Sequence, residues 1–444
     1  MATSQVSIDD VPVNGFHQLL SVRVGGGWLL DGYILSIIGV ALMQAASHLQ
    51  LSNFWQGMIA ASALFGMFFG GFLGGWLTSW MGRKTLFFIG PVLFTLCSVA
   101  QLWVDSGWAL FVCRFVAGVT VGFEYAAGGS LLTEFLPTKA RGPRLAMLTI
   151  MWFAGAMLAY LFGNMILKMD ITDAWRWVFA SPAVIGVILF LIRIGTPESP
   201  RWLISKGRNA EAEVIIKQVY GPSFSLKNVP VQEEVKSASF AEVFRSGYGT
   251  RVFFCSMFWT CAVIPVFAVY SFAPRVLDAM NLKGSWAEYG SVAITLMFVV
   301  GCAIATKLIN VMGRRKLIIH SFLWSGLALL GLGIFAHGSQ MLVLVLFCAY
   351  AVLIGGAQVL ELVYPNELFP TEMRAIGVGM ATSFSRIGAA IGTWLVPMSL
   401  DSIGIDNTMY VAAGVTLLGL IVSIMTAPET KGLSLEQATS LKNS

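Results

Sequence analysis

The chain has 444 residues, of which 57% are hydrophobic and only 11% are charged, and its formal net charge at pH 7 is +5. Since a soluble domain carries about 25% charged residues, this composition excludes an ordinary soluble domain and indicates a membrane protein. The positive charge falls in alternate loops between apolar segments, so it does not predict nucleic-acid binding.

Twelve apolar segments follow one another along the chain, each long enough to cross about 30 Å of hydrocarbon as a helix. The predicted fold class is therefore an all-α membrane protein with twelve transmembrane helices. The predicted spans are 24–46, 57–78, 85–104, 107–132, 145–167, 177–196, 251–275, 287–309, 316–336, 341–363, 376–397 and 408–427.

The polar segments divide the chain into five parts. We predict an N-terminal tail (1–20), an N-terminal six-helix bundle (21–196), a linker with short helices (197–250), a C-terminal six-helix bundle (251–430) and a C-terminal tail (431–444). Lysine and arginine concentrate in alternate loops, which predicts that both tails and the linker are cytoplasmic. An even number of spans leads to the same arrangement of the termini.

Three short motifs occur twice, in the same order and at almost the same separation. The pattern E-x-x-P-T-x-x-R fills 134–141 and again 367–374, an offset of 233 residues. Two further pairs are offset by 231 residues: 82–84 (Gly-Arg-Lys) with 313–315 (Gly-Arg-Arg), and 197–198 (Pro-Glu) with 428–429 (Pro-Glu). The chain therefore contains two copies of one half, which in a chain this apolar is typical of a membrane transporter.

These motifs resemble the signatures of the major facilitator superfamily. The run from Gly75 to Lys84 is similar to its loop 2–3 signature, and Arg114-x-x-x-Gly118-x-x-x-Gly122 to its signature in the fourth helix. The segments 197–203 and 428–432 resemble the endings of the two halves in the sugar-porter-like branch. The resemblance implies two pseudo-symmetric six-helix bundles that alternate access to a central cavity.

The resemblance also implies a cytoplasmic charge network that opens and closes during transport. Its members would be Arg83, Arg114, Glu134, Arg141, Glu198, Arg314, Glu367, Arg374 and Glu429. The alternative is that these residues are topology determinants and solvated loop charges. One departure weakens the network. Ser79 stands where the family has an acidic residue in loop 2–3, and Asn310 stands at the equivalent position of the second half, so neither position carries a charge.

Other departures concern the branch of the superfamily. Sugar porters show Gly-Tyr-Asp in the first helix, whereas this chain has Gly32-Tyr33-Ile34 with Asp31 just before it. The seventh span has no amide between Trp259 and Tyr270, and Leu362 replaces the tryptophan of the tenth. The start at Asp31 resembles metabolite:proton and aromatic-acid:proton symporters, and 385–388 is similar to a feature of organic-ion and synaptic-vesicle-protein-like transporters.

Among the ionisable residues within the predicted spans, we single out five as functional candidates, because burying a charge in a membrane is costly: Asp31, Arg114, Glu124, Glu361 and Arg386. Asp31 and Glu124 are predicted at similar depth in the first and fourth spans. Two neighbouring carboxylates in a low dielectric do not both ionise readily, which is the chemistry that proton coupling needs. The alternatives are structural ion pairs and, for Asp31, an exposed helix end.

The remaining candidates concern substrate binding. Arg386 can contact an anionic substrate or neutralise Glu361 on the facing helix, and Gln358 lies three residues before Glu361 on the same wall. Five aromatic residues can line a cavity, although packing or contact with lipid is the alternative for each. They are Tyr33, Tyr125, Trp152, Trp259 and Tyr270.

The predicted function is a secondary active transporter, a proton-coupled symporter of a small polar organic metabolite in the plasma membrane, expected to be a bacterial inner membrane. A sugar transporter and a non-transporting sensor are the alternatives. The expected partners are the substrate, protons and the bilayer, and the chain is expected to be a monomer. No nucleotide-binding loop, cysteine pair with metal-ligand spacing or catalytic constellation occurs, so we predict no enzyme, cofactor, metal site or nucleic-acid partner.

Overall fold

The computed structural model describes residues 7–169, 171–229, 240–282, 285–433 and 437–438. Every long element in this part of the chain is an α-helix. The helices are α1 (Gly15–Ser36), α2 (Ile38–His48), α3 (Asn53–Met81), α4 (Arg83–Ala100), α5 (Gly107–Phe135), α6 (Thr138–Leu167), α7 (Ala174–Ala180), α8 (Pro182–Arg193), α9 (Pro200–Ser205), α10 (Asn209–Tyr220), α11 (Phe240–Arg245), α12 (Gly249–Ala279), α13 (Ser285–Met312), α14 (Arg314–Ile334), α15 (Gln340–Leu368), α16 (Thr371–Ser402) and α17 (Gly404–Thr426).

Eleven helical segments of the described chain are long and apolar enough to cross a membrane. Three of them consist of consecutive helices: α1 with α2, α7 with α8, and α4 with the short 3-10 helix Gln101–Trp103. The eleventh predicted span (376–397) lies in α16, which is 32 residues long but does not belong to these eleven. The all-helical fold class is confirmed, while the count of twelve membrane helices stays a prediction.

The first helix begins at Gly15, nine residues before the predicted start at 24. Asn14 and His17 form a capping box, in which the Asn14 side chain accepts from the His17 amide and His17 Nδ1 accepts from the Asn14 amide, both at 3.1 Å. Polar residues in the first turns conceal this start from a search for apolar runs. As a result, Asp31 lies near the middle of the α1–α2 segment.

Glycines bring two pairs of helices into backbone contact, once in each half. A Cβ atom on Gly122 of α5 would overlap the backbone of Gly70 on α3. In the second half, a Cβ atom on Gly355 of α15 would overlap the backbone of Gly301 on α13. Such close crossings are typical of small residues in membrane helices, and they occupy equivalent places in the two halves.

The two halves meet through long helices. From the first half α2, α3 and α6 pack on α12, α16 and α13 of the second, respectively. We call the end of the molecule that holds Arg83 and Arg314 the basic face, and the end that holds Asn53 and Arg275 the opposite face. Each long helix connects one face with the other.

Helix α12 is broken close to the opposite face. Phe272 has non-helical angles (φ −135°, ψ 18°), and Pro274 follows two residues later. A proline has no amide hydrogen, so Pro274 leaves the carbonyl oxygen of Tyr270 without its helical partner. The last turns of α12 therefore take a direction different from the rest of the helix.

Two linker helices, α9 and α10, and the N-terminal segment lie against the basic face of the first half, whereas α11 contacts α12 and α16 of the second half. Ile8 packs with Ile216 of α10 and with Val229. The Asp9 carboxylate is paired with Arg201 of α9 at 2.7 Å and also with Arg141 of α6. These contacts hold residues 7–14 across the ends of the helices.

Candidate functional site

Asp31 is a buried acid without a partner in the described chain. Its side chain is fully buried in α1, and neither carboxylate oxygen has a hydrogen-bond partner. Gly32, the next residue, packs directly on the carbonyl oxygen of Trp152 in α6. An orphaned buried carboxylate is costly to keep, so its presence at mid-depth points to a functional role.

Glu124 of α5 is paired with Arg193, the last residue of α8. Arg193 Nη1 donates to Glu124 Oε2 at 2.9 Å, and Nη2 donates to Oε1, which makes the pair bidentate. Both side chains are completely buried. The pairing with Arg193 was not predicted, although Arg193 falls within the predicted span 177–196.

The predicted proximity of Asp31 and Glu124 is present in the structure. Helices α1 and α5 are in contact, and Asp31 interacts electrostatically with both Glu124 and Arg193. A Cβ atom on Gly27, one turn before Asp31, would collide with Glu124 Oε1 and Arg193 Nη2. Asp31 therefore lies next to an ion pair and is not itself a member of it.

Arg114 lies away from the basic-face charges. It is seven residues after the start of α5 at the opposite face, where its Nη2 donates to the carbonyl oxygen of Ile34 at 3.0 Å. Its guanidinium lies 5.6 Å from the centre of the Phe179 ring. No contact in the described chain supports its predicted membership of the cytoplasmic network.

Arg386, Glu361 and Gln358 are neighbours in the second half. All three are at least nine-tenths buried, and each keeps one polar atom without a hydrogen bond: Arg386 Nε, Glu361 Oε1 and Gln358 Nε2. Arg386 interacts electrostatically with Glu361, yet Glu361 Oε1 and Arg386 Nε have no hydrogen-bond partner in the described chain. Polar groups that are buried and unsatisfied in this way are suited to a polar ligand.

Aromatic residues from both halves surround these polar groups. Trp152 of α6 lies edge-on to Phe267 and Tyr270 of α12, at 5.7 Å and 5.5 Å between ring centres. Tyr125 of α5 stacks on Trp28 at 4.3 Å and interacts electrostatically with Asp31, Glu361 and Arg386. The predicted residues Asp31, Tyr125, Glu361 and Arg386 therefore converge on one region.

Two of the other predicted aromatics also lie in the interior. Trp259 of α12 is buried beside Glu361, and its Nε1 has no hydrogen bond of normal geometry. Tyr33 bonds to Ser181 through their hydroxyl groups at 2.8 Å, a contact within the first half. Tyr33 is therefore engaged in packing α1 against the α7–α8 connection.

The basic face of the first half carries a compact charge cluster. Arg83 Nη2 is 3.0 Å from Glu134 Oε1, which joins α4 to the end of α5. Glu198 Oε1 accepts from the backbone amides of Arg83 and Lys84 at 3.1 Å and 3.2 Å. Burial raises the pKa of the Glu198 carboxyl above its usual value, while the amides of Ser199, Lys84 and Arg83 and the Arg83 charge oppose the rise.

The second half repeats this cluster residue for residue. Arg314 Nη2 is 2.8 Å from Glu367 Oε1, and Glu429 accepts from the amides of Arg314 and Arg315 at 2.9 Å and 3.2 Å. The hydroxyls of Ser199 and Thr430 donate to Glu134 and Glu367, respectively. The duplication seen in the sequence motifs is thus also a duplication of hydrogen bonds.

Other predicted network residues have different surroundings. Arg141 donates to the carbonyl oxygen of Leu136 at 2.8 Å and pairs with Asp9, a partner that was not predicted. Ser79 donates to Gly75 within its own helix, at 3.0 Å. The side chain of Arg374 lies outside what the structure describes.

A polar cluster joins the halves at the opposite face. Arg275 Nη1 donates to Gln56 Oε1 at 2.8 Å, and Nη2 donates to Asp401 at 2.9 Å and to Asn53 at 3.3 Å. Asn53 also donates to Asp401. These residues were not predicted, because they occur at the ends of apolar spans where polar residues are common.

Known proteins resemble the chain along its whole length. A family model described as sugar (and other) transporter matches residues 26–441. The inner membrane metabolite transport protein YgcS of Escherichia coli (strain K12) is 36% identical over 99% of this chain and 97% of its own length. The arabinose-proton symporter of Bacillus subtilis (strain 168) is 28% identical over 96% of this chain and 95% of its own.

A solved structure has the same fold. The major facilitator superfamily proton:xylose symporter XylE superimposes with a TM-score of 0.78, covering 95% of this chain and 98% of that one at 21% sequence identity. At this identity the similarity establishes the arrangement of helices. Contacts of individual side chains have to be taken from the present chain.

Proposed function

Because the chain belongs to the sugar (and other) transporter family of the major facilitator superfamily, we propose that it is a proton-coupled symporter of a small polar organic metabolite. Its place is the inner membrane of a bacterium, as for YgcS. The proposal has three elements, namely a membrane topology, an alternating movement of two halves and a buried acid that binds the proton.

In the proposed topology, twelve helices cross the membrane and the basic face is cytoplasmic. The positive-inside rule supports this orientation, since Arg83, Lys84, Arg314 and Arg315 lie together at that end. Helix α16, which holds the eleventh predicted span, brings the number of membrane helices to twelve, because it packs along α12 and α3 between the two faces. The termini and the linker are then cytoplasmic.

The distribution of contacts supports alternating access. The Arg83–Glu134 and Arg314–Glu367 pairs each lie within one half. The bonds of Arg275 to Gln56 and Asn53 instead join one half to the other at the opposite face. In the proposed cycle, the second set breaks when the transporter opens outward, while each half moves as a body.

One observation carries the proton coupling. Asp31 is fully buried near the middle of the molecule, and both of its oxygens lack a partner in the described chain. A carboxylate that stayed ionised in that place throughout the cycle would be very costly in free energy. A carboxyl that binds a proton in one step and releases it in another carries the charge during only part of the cycle. We therefore place the coupled proton in the site formed by Asp31 and Glu124.

The substrate region adjoins this acid. Arg386, Glu361 and Gln358 offer unsatisfied polar atoms, and Trp152 and Tyr125 supply flat apolar walls. This combination suits a small polar molecule that carries hydrogen-bond acceptors.

A sugar is the second candidate substrate. The arabinose-proton symporter and the proton:xylose symporter support it by likeness. The absence of an amide from Trp259 to Tyr270 on α12 counts against it, since a polyhydroxyl ligand needs several such partners.

The test uses the purified full chain in proteoliposomes that contain a pH-sensitive dye. A panel of sugars, polyols, carboxylates and amines is added one at a time under an imposed pH gradient, and internal acidification reports solute-coupled proton entry. Asp31→Asn should abolish the signal while leaving exchange of labelled solute intact. Asp406→Asn, which changes a partly exposed acid beside His337, is the matched control.

Three outcomes separate the alternatives. Proton entry with sugars alone would support the sugar candidate. Solute exchange with no proton entry in the unmodified chain would contradict the coupling. Binding of a solute in a thermal-shift assay, with no flux of that solute, would identify a non-transporting sensor.

A further inference from the structure

We propose that Arg193 and Glu124 form a permanent ion pair that sets the proton affinity of Asp31, and that Asp31 alone carries the coupled proton. The proposal rests on the proton coupling described above and assigns different roles to its two acids. Arg193 is a positioning residue here, since it acts on Asp31 through its charge and its bonds to Glu124, without contacting the proton itself.

The pair is enclosed on every side by the first half. Besides its two bonds to Glu124, Arg193 Nη1 donates to the carbonyl oxygen of Phe87 at 2.5 Å, and Nη2 donates to that of Arg23 at 3.3 Å. The guanidinium carbon lies 3.6 Å from the centre of the Phe87 ring. A Cβ atom on Gly90 would approach within 2.9 Å of Glu124 Oε2, so the backbone of α4 at Gly90 packs closely on the carboxylate.

All these contacts come from α1, α4, α5 and α8. A movement of one half against the other leaves the four helices together, so Glu124 keeps its cation in every orientation of the transporter. Glu124 is therefore occupied by the same two bonds throughout the cycle, whereas both Asp31 oxygens are without a partner in the described chain. On this contrast we assign the coupled proton to Asp31.

Asp31 lies one turn beyond this pair on α1. Gly27 touches both members of the pair, and Asp31 follows it by four residues on the same side of the helix. Residues in this relation are neighbours on the helix surface, with Cβ positions about 5–6 Å apart. Asp31 interacts electrostatically with both members of the pair and has no hydrogen bond to either.

Other charged groups face the same region from the neighbouring helices. Tyr125 projects from α5, and beyond it lie Arg386 of α16 and Glu361 of α15. Trp152 on α6 contributes no charge. Arg114 of α5 also reaches this part of α1, since its Nη2 donates to the carbonyl oxygen of Ile34, three residues after Asp31. Within the first half, Glu124 and Arg193 interact with Asp31, and their charges are opposite in sign.

This arrangement predicts opposite effects for the two members. Without Arg193, the bare Glu124 carboxylate disfavours ionisation of Asp31, so Asp31 keeps its proton to higher pH. Without Glu124, the bare guanidinium favours ionisation, so Asp31 loses its proton at lower pH. Removing both restores a neutral neighbour and returns the titration toward that of the unmodified chain.

The experiment is an infrared pH titration of the full-length protein in detergent, with no substrate present. The carbonyl band of a protonated carboxyl that is missing in Asp31→Asn is assigned to Asp31. Its midpoint should rise by roughly one pH unit or more in Arg193→Gln and fall by a similar amount in Glu124→Gln. In the double variant, the midpoint should differ from that of the unmodified chain by less than half of either single shift. Arg193→Lys, which keeps the positive charge, should remain near the unmodified value.

Two results would overturn the proposal. One is a titrating band that disappears in Glu124→Gln and persists in Asp31→Asn, since Glu124 would then be the proton carrier. The other is a midpoint of the Asp31 band that moves in the same direction in both single variants, or moves in neither, as expected if the pair only supports packing. If one single variant does not fold, the other still decides, because a midpoint that fails to rise in Arg193→Gln, or fails to fall in Glu124→Gln, contradicts the proposal.

The titration is independent of the transport assay. If the midpoints shift as expected but no proton-coupled flux is found, the proposed function is contradicted and the roles given to Asp31 and the ion pair stand. If coupled flux is found but the midpoints do not shift as expected, only those roles are contradicted.

Discussion

The hydroxyl of Tyr160, on α6, donates a 2.5 Å hydrogen bond to the carbonyl oxygen of Tyr270, on α12. This carbonyl is the one that Pro274 leaves without a helical partner. The first half thus satisfies a backbone group that the break in α12 exposes, and Gly39 leaves room for the contact, because a Cβ atom there would overlap both groups. The broken helix and the closed interface depend on each other.

Tyr160→Phe should favour opening at the opposite face. The variant loses one buried hydrogen bond between the halves, which contributes about 0.5–1.5 kcal/mol, and leaves the carbonyl unsatisfied in the closed form only. The measurement is the distance between spin labels at Gln50→Cys and Asn407→Cys, two exposed positions on different halves, in a background without the six native cysteines. A distribution of distances unchanged by the substitution would contradict this prediction.

Arg275→Gln should also populate longer distances between the same labels. It removes the charge that connects Asp401 with Gln56 and Asn53, and the loss of about 1 kcal/mol corresponds to a roughly fivefold change in the ratio of closed to open forms. The matched control is Arg176→Gln, because Arg176 pairs at 2.7 Å with Asp105 inside the first half. An equal effect of both variants would show that general loosening, and not a connection between the halves, is responsible.

Gly70→Ala should destabilise the fold by about 1–3 kcal/mol, whereas Gly71→Ala should not. A methyl group on Gly70 would overlap the backbone of Val119 on α5, but one on Gly71 has nothing within 4 Å. The two variants make the same chemical change at adjacent positions of α3. Thermal unfolding of both in detergent tests the difference, and similar midpoints would contradict the close crossing of α3 and α5.

Glu198 should make the stability of the protein dependent on pH. Its pKa is raised above the ordinary 4.5 mainly because the carboxyl is buried. The contribution of this group to stability is therefore fully present below the ordinary value and is lost as the pH rises through the raised one. Between about pH 4 and pH 7, the unfolding midpoint of the unmodified protein should fall relative to that of Glu198→Gln.

The control for this comparison is Glu213→Gln, which removes a partly exposed acid paired with Lys217 on α10. It should parallel the unmodified protein across the pH range. A Glu198→Gln curve that is also parallel would show that the carboxyl ionises as freely in the folded chain as in the unfolded one.

Long uninterrupted apolar runs located most helices well. Helix α14 was predicted as 316–336 and spans Arg314–Ile334, and α17 was predicted as 408–427 and spans Gly404–Thr426. The start of α1 was misplaced, because its first turns are polar and their stability comes from the Asn14 cap and from packing against the linker. A search for apolar runs does not detect these polar turns.

The sequence identified residues of the candidate site, but it did not predict which of them contact one another. Buried acids within apolar spans stand out, so Asp31 and Glu124 were identified, and motif spacing identified Glu134 and Glu367. The partner of Glu124 is 69 residues away on another helix, and which side chain meets it depends on how α5 and α8 are rotated about their axes. That rotation is decided by packing of many residues in three dimensions.

The strap of residues 7–14 has a practical consequence for anyone handling this protein. Ile8 donates to the carbonyl oxygen of Asn228 at 3.0 Å, and the Asp9 carbonyl accepts from Thr138 at 2.9 Å, so the segment is anchored at several points. A purification handle or fluorescent reporter spliced directly before Ser7 would crowd those anchors.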